Sequence, residues 1–177
     1  MAEVFVSHLE WTGDPRGLEA SAASSRDLAV SVDGVTLPMS SAAGFGGDPS
    51  RVNPEQLFVA ALSACQALTY LSLAARRGVR IVGYTDDAQG WLGSDGARMR
   101  MSKVTLRPRI TIEPGADEAR ALELVDKAHQ HCFIGNSVCT PVQVEPTVIL
   151  AEEALSSPER TRRPPRTRSL EAGNLGE

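Results

Sequence analysis

With 177 residues and a hydrophobic content of 42%, the chain can bury the core of one domain. A net charge of −4 offers no general attraction to nucleic acid or to an anionic membrane. Three cysteines are too few for a disulfide-stapled secreted module, and the opening MAEVFVSHLEW has no basic segment followed by an apolar run, so a reducing, cytoplasmic setting is expected.

The chain opens on strands. Val4 and Val6 alternate with polar neighbours, and DLAVSVDGV puts Leu28, Val30 and Val32 on one face before a turn at Asp33-Gly34. Residues 38–53, rich in Gly, Pro and Ser, read as a long loop of the kind that often carries function. Asn53 is then a good N-cap, Pro54 fits the first helical position, and Glu55 suits the positive end of the helix dipole. The helix is expected to run to about Arg77 and stop at Gly78. From Gln56 to Ala75 it has no charge and is about long enough to span a bilayer. Ser63, Gln66, Thr69 and Ser72 interrupt it and much of the rest is alanine, so it reads as a buried core helix.

Further strands follow in VRIVGYTDDAQGWL and ARMRMSKVTLRPRITIE. In the second, Val104, Leu106, Ile110 and Ile112 share one face while Met99 and Met101 take the opposite phase, which predicts a β-bulge or a turn near Ser102. Pro108 marks an edge strand or an unpaired N–H side. A second helix spans about Ala116 to Gln130, and PVQVEPTVIL closes the fold as a last strand. The order of elements indicates an α+β domain over residues 1–150. Residues 151–177, rich in Pro and Arg without periodicity, read as a disordered tail.

Within NPEQLFVAALSACQALTYL, Cys65 taken alone reads as a small hydrophobe in a buried helix. Burial would raise its pKa, and no basic residue lies on the helix within two turns, so a cation that activates it must come from elsewhere. In AHQHCFIGNSVC, His129, His131, Cys132 and Cys139 are residue types that ligate zinc, but their spacing matches no common structural zinc signature. If that segment stays helical, Cys132 and Cys139 are separated by a rise of roughly 10 Å, too far to bridge. Gly135 can break the helix and leave the question open.

Together, NPEQLFVAALSAC and the later AHQHCFIGNSV resemble the OsmC/Ohr family of thiol-dependent hydroperoxide reductases, and the resemblance covers roughly residues 25–148. SRDLAV, GFGGDPSRVNPEQL and CFIGNSV look closer to the general OsmC-like branch. The resemblance implies an intertwined homodimer, with antiparallel sheets around long central helices and active sites at the interface. It implies Cys65 as the thiol that attacks the hydroperoxide and Cys132 as the resolving thiol. Glu55 is the carboxylate of an arginine–glutamate pair whose arginine best matches Arg26, with Arg16 and Arg51 as runners-up. No cofactor is implied beyond an external dithiol reductant, and neither nucleic acid nor membrane is a partner. Two departures stand out: Phe133 where many relatives have proline, and Gly46 where many have arginine.

Glu55 lies ten residues before Cys65, about 15 Å along a straight helix. It can therefore act on a thiol only through an arginine that reaches across, or by facing a partner subunit's site. Leu62, Leu68, Phe58 and Phe133 are expected to wall the site and favour organic peroxides. Cys139 reads as a spare thiol or as an alternative resolver. A second reading is a small-molecule binding protein of the same fold without peroxidase turnover.

Overall fold

The computed structural model describes residues 3–11, 26–96 and 98–152. The tail from residue 153 onward and Arg16 lie outside the described residues. Three three-stranded sheets and three helices make up the described chain. β1 (His8–Glu10), β2 (Leu28–Val32) and β3 (Val35–Met39) form an antiparallel sheet in that order. The β2–β3 turn is the predicted Asp33-Gly34, with φ of 46° and 81°, the positive pair of a two-residue hairpin turn. The first strand starts later than the alternation of Val4 and Val6 suggests: both residues precede β1 and are 80% and 71% exposed. Among the described residues no strand pairs with them, and their pattern alone does not make a ladder.

The loop after β3 contains one short 3-10 turn, Ala43–Phe45, and closes back on itself. Ser40 N donates to Val52 O at 3.0 Å, and Asp48 N donates to Ser40 Oγ at 3.0 Å. Gly47 passes so close to this crossing that an added Cβ would stand 1.7 Å from the Ser41 carbonyl oxygen. Gly47→Ala is accordingly expected to destabilise the protein by about 1–3 kcal/mol, read as a lower midpoint in urea unfolding.

That loop delivers the chain to α1 (Pro54–Arg76). Asn53 Oδ1 accepts from Gln56 N at 2.8 Å while Gln56 Oε1 accepts from Asn53 N at 3.0 Å, a complete capping box. Gly78, at φ 72°, follows the Arg77 C-cap, as the sequence indicates. Only part of the helix is buried. Leu62, Gln66, Tyr70 and Ala74, spaced by four, form the inner stripe, whereas Leu68 is 70% exposed. By length and composition α1 is also the one described helix that could cross a membrane.

β4 (Ile81–Asp86) pairs antiparallel with β7 (Pro108–Ile112), and β9 (Thr147–Leu150) joins β7 in parallel. β5 (Gln89–Asp95) pairs antiparallel with β6 (Arg98–Leu106), and β8 (Val142–Val144) joins β6 in parallel. The predicted bulge is present. Trp91 pairs with Lys103 and Leu92 with Met101, leaving Ser102 as the extra residue, its Oγ donating to Trp91 O at 3.1 Å. Pro108 is not on an edge strand: β7 is central in its sheet, and the proline occupies its first position, where the chain bends out of β6. PVQVEPTVIL likewise splits into two strands, because the chain crosses between sheets at Glu145-Pro146. Arg107 Nε donates to Glu145 Oε2 at 3.0 Å and ties the two crossings together.

α2 (Glu118–His131), capped by Asp117 through Arg120 N at 3.0 Å, packs its buried Ala121, Leu124, Val125 and Ala128 against Tyr70 and Ala74 of α1 and against Ile110 and Ile112. A second core joins Leu62 to Val104 and Leu106, with Phe58 and Val59 against it. Cys132 ends α2 and begins a one-turn helix, α3 (Phe133–Asn136).

Candidate active site

Two elements bring the reactive groups together. α1 presents Cys65 beside its buried stripe, half-buried, one position before Gln66. The α2–α3 corner presents Cys132, which is 2% exposed, and whose extended backbone (φ −70°, ψ 112°) turns the chain sharply between the two helices. The helix therefore does not continue through Cys132, which removes the premise under which a 132–139 bridge is out of reach. All three cysteines are free thiols, and Cys139 is exposed.

The corner holds both sulfurs by main-chain donors. Gly135 N donates to Cys132 Sγ at 3.3 Å, and Ile134 N donates to Cys65 Sγ at 3.5 Å. A Cβ at Gly135 would stand 3.3 Å from Cys132 Sγ, so the close approach depends on that glycine. Asn136 Nδ2 donates to Gln130 O at 3.0 Å and Ser137 Oγ to Phe133 O at 2.7 Å, which pins the turn.

These contacts split the two thiols in acidity. Burial pushes the Cys65 thiol up, but the Ile134 N–H, the Cys132 thiol, the Phe133 N–H and the Thr69 hydroxyl together hold it below the usual thiol value. Burial, together with the charge of a neighbouring Cys65 thiolate, pushes Cys132 up, against the pull of the Gly135 N–H. Cys65 is the one that ionises first, and Cys132 is left protonated beside it. On raising pH, iodoacetamide is therefore expected to label Cys65 before Cys132, read by peptide mass.

Cys65 opens into a cleft of about 770 Å³ lined by Phe5, Leu68, Thr69, Ser72, Leu73, Arg76, His131 and Phe133. That volume suits a small organic molecule. Leu68 and Phe133 wall the cleft as expected, but Leu62 and Phe58 do not, because both pack into the core with Val104 and Leu106.

Glu55 and Arg26 are not brought to Cys65 within one chain. Glu55 lines a separate cavity of about 640 Å³ with Ser63, Asp86, Leu92 and Met101, and its Oε2 is buried without a partner among the described residues. Arg26 is exposed and lies against the 40–53 loop, its Nε 3.5 Å from where a Gly46 Cβ would stand. Arg51 is engaged by Asp27 at 3.3 Å and Asp48 at 3.4 Å. Among the described residues no group of three or more His, Cys, Asp or Glu side chains converges as a metal site. The donors at 134 and 135 escape a reading of side-chain types, since they are main-chain groups. The signal for them is the cysteine–glycine spacing at a helix end.

Residues 47–147 match the family model described as OsmC-like protein. The organic hydroperoxide resistance protein of Xanthomonas axonopodis pv. citri (strain 306) is 30% identical over 149 residues, covering 84% of this chain and 95% of that protein, and its counterpart in Xanthomonas campestris pv. phaseoli matches equally. An OsmC-like protein of unknown function from Vibrio cholerae superposes with a TM-score of 0.74 at 30% identity, over 83% of this chain and 100% of that one. An organic hydroperoxide resistance protein from Legionella pneumophila, 20% identical over 84% of this chain and 98% of its own, shares the fold at a TM-score of 0.59.

Proposed function

The chain belongs to the OsmC-like protein family, and from that premise we propose that it is a thiol-dependent peroxidase that reduces organic hydroperoxides. The observation that carries this reading is Cys65 opening into an apolar cleft, with the buried Cys132 at the adjoining corner and a main-chain donor on each sulfur. The names of the Xanthomonas relatives support hydroperoxides as the substrate.

In the proposed cycle the Cys65 thiolate attacks the outer peroxide oxygen and the O–O bond breaks. The alkoxide leaves with a proton as the alcohol, and Cys65 becomes a sulfenic acid. The Cys132 sulfur then attacks Cys65, water leaves, and a disulfide forms. An external dithiol reduces that bridge by exchange and is itself oxidised to a disulfide. Hydrogen peroxide is the proposed second substrate, since the same displacement releases water. The setting is the reducing cytoplasm.

Glu55 and an arginine enter the proposal through a second copy of the chain. Phe5 is 84% exposed, Val4 80% and Leu68 70%, an apolar surface that a homodimer partner would cover. The buried, unpartnered Glu55 Oε2 suits a guanidinium, whose planar fork binds a carboxylate and leaves donors for a thiolate. Arg26 is the proposed source.

The alternative, a small-molecule binder of the same fold without turnover, draws on the placement of Arg26 and Glu55 outside the Cys65 cleft. Intact mass and free-thiol count after one equivalent of cumene hydroperoxide separate the two. Loss of two thiols, mapped to a Cys65–Cys132 bridge, supports the peroxidase. Three unchanged thiols leave the binder.

A further inference from the structure

We propose that Arg76 is a specificity-determining residue of the Cys65 cleft, binding the carboxylate of an elongated, acid-bearing hydroperoxide at the end remote from the thiol. The inference rests on Cys65 as the reacting thiol, and deepens that reading by fixing the charge and the reach of the substrate.

The first observation is the shape of the cleft. Cys65 and Arg76 both line it from α1, eleven residues apart. That is close to three full turns and about 16 Å along the axis, so the two residues lie on the same side of the helix. Leu68 and Leu73 fall between them, and Phe5 and Phe133 add apolar wall from outside the helix. The thiol thus stands toward one end of an apolar run and a guanidinium toward the other. A few placed polar groups in an apolar cleft are what orients a small ligand.

The second observation is that the charge is one-sided. The chain carries −4 overall, yet among the described residues no Asp or Glu lines this cleft. Its ionisable wall residues besides the thiol are Arg76 and His131, neither of which can carry negative charge. Arg76 is exposed and joins no ion pair among the described residues. Arg80, four residues on, is held by Glu113 at 3.0 Å. A cation in the last turn of α1 answers the helix dipole, but Arg77 at the C-cap does so without lining the cleft. Ser72, one turn before Arg76, adds a hydroxyl donor to the same wall. A carboxylate at this end therefore meets a planar fork and an O–H while its chain lies along the leucines toward Cys65.

The probes are dodecanoic acid carrying a terminal hydroperoxide, and its methyl ester, which matches it in shape and lacks the charge. With the full chain and a dithiol reductant, the acid is expected to show the higher kcat/KM. In Arg76→Ala the acid-to-ester ratio should fall about three- to tenfold, carried by KM, and Arg76→Lys should restore part of it by keeping the charge without the fork. Equal kcat/KM for acid and ester in wild type, or a ratio that Arg76→Ala leaves in place, overturns the assignment. Plain dodecanoate needs neither a variant nor turnover. It should bind the resting protein more tightly than dodecanol in calorimetry, by a margin that shrinks with added salt, and this decides should Arg76→Ala not fold. A partner subunit that filled the cleft would leave dodecanoate unbound, and that result also overturns the proposal. Failure of the underlying reading looks different: dodecanoate binds as stated, but the acid hydroperoxide leaves Cys65 reduced.

Discussion

Cys65→Ser is expected to lower hydroperoxide turnover by a factor on the order of 10³ or more, measured as peroxide consumption with a dithiol reductant. A serine hydroxyl at this position remains protonated at neutral pH. The Ile134 N–H that helps a thiolate at 3.5 Å cannot bring it into ionisation. Cys132→Ser should behave differently. The first equivalent of peroxide is still consumed, because Cys65 and its donors are intact, but no bridge closes. With excess peroxide Cys65 then advances to the sulfinic acid, seen as a gain of two oxygens in intact mass. Repeated turnover of Cys132→Ser with the same reductant would remove the resolving role. Cys139, exposed and free, is the thiol to examine in that event.

Tyr70→Ala is expected to cost about 3–5 kcal/mol of stability, the largest single loss among the core positions. The side chain is 1% exposed, its ring lies 5.9 Å from that of Tyr84, and its hydroxyl donates to Ala121 O at 3.2 Å. It thus joins α1 to α2, and α2 ends at Cys132. Tyr70→Phe keeps the packing and loses only the hydrogen bond, at about 1 kcal/mol. If the two variants proved equally destabilised in urea unfolding, the hydrogen bond and not the ring would be the tie. Loosened contact between the helices should also separate the two sulfurs, so Tyr70→Ala is expected to slow formation of the Cys65–Cys132 bridge more than the initial loss of the Cys65 thiol.

Where local chemistry decides conformation, the elements were legible in the chain. Asn53, Pro54 and Gly78 delimit α1 because capping, proline and left-handed backbone act within one turn of helix. The phase switch between Met101 and Val104 locates the Ser102 bulge because side chains alternate strictly along a strand. Val4 and Val6, by contrast, alternate just as clearly without forming a strand, and Pro108 opens a central strand instead of an edge. Both outcomes depend on which segment lies alongside, information that local periodicity does not contain.

The same division applies to the site. The residue types and order of Asn53–Cys65 and Ala128–Val138 determined the family, and the pairing of Cys65 with Cys132 is what that resemblance implies. What the tertiary structure decided is which thiol is acidic. On the helix alone Cys65 is a buried, unassisted thiol. Its assistance comes from the Ile134 N–H, 69 residues further along the chain. Every residue but proline carries such a donor, so no side-chain pattern can announce where one will point. Only the stop of α2 at Cys132, and the packing of that corner on α1, aims that donor at the Cys65 sulfur.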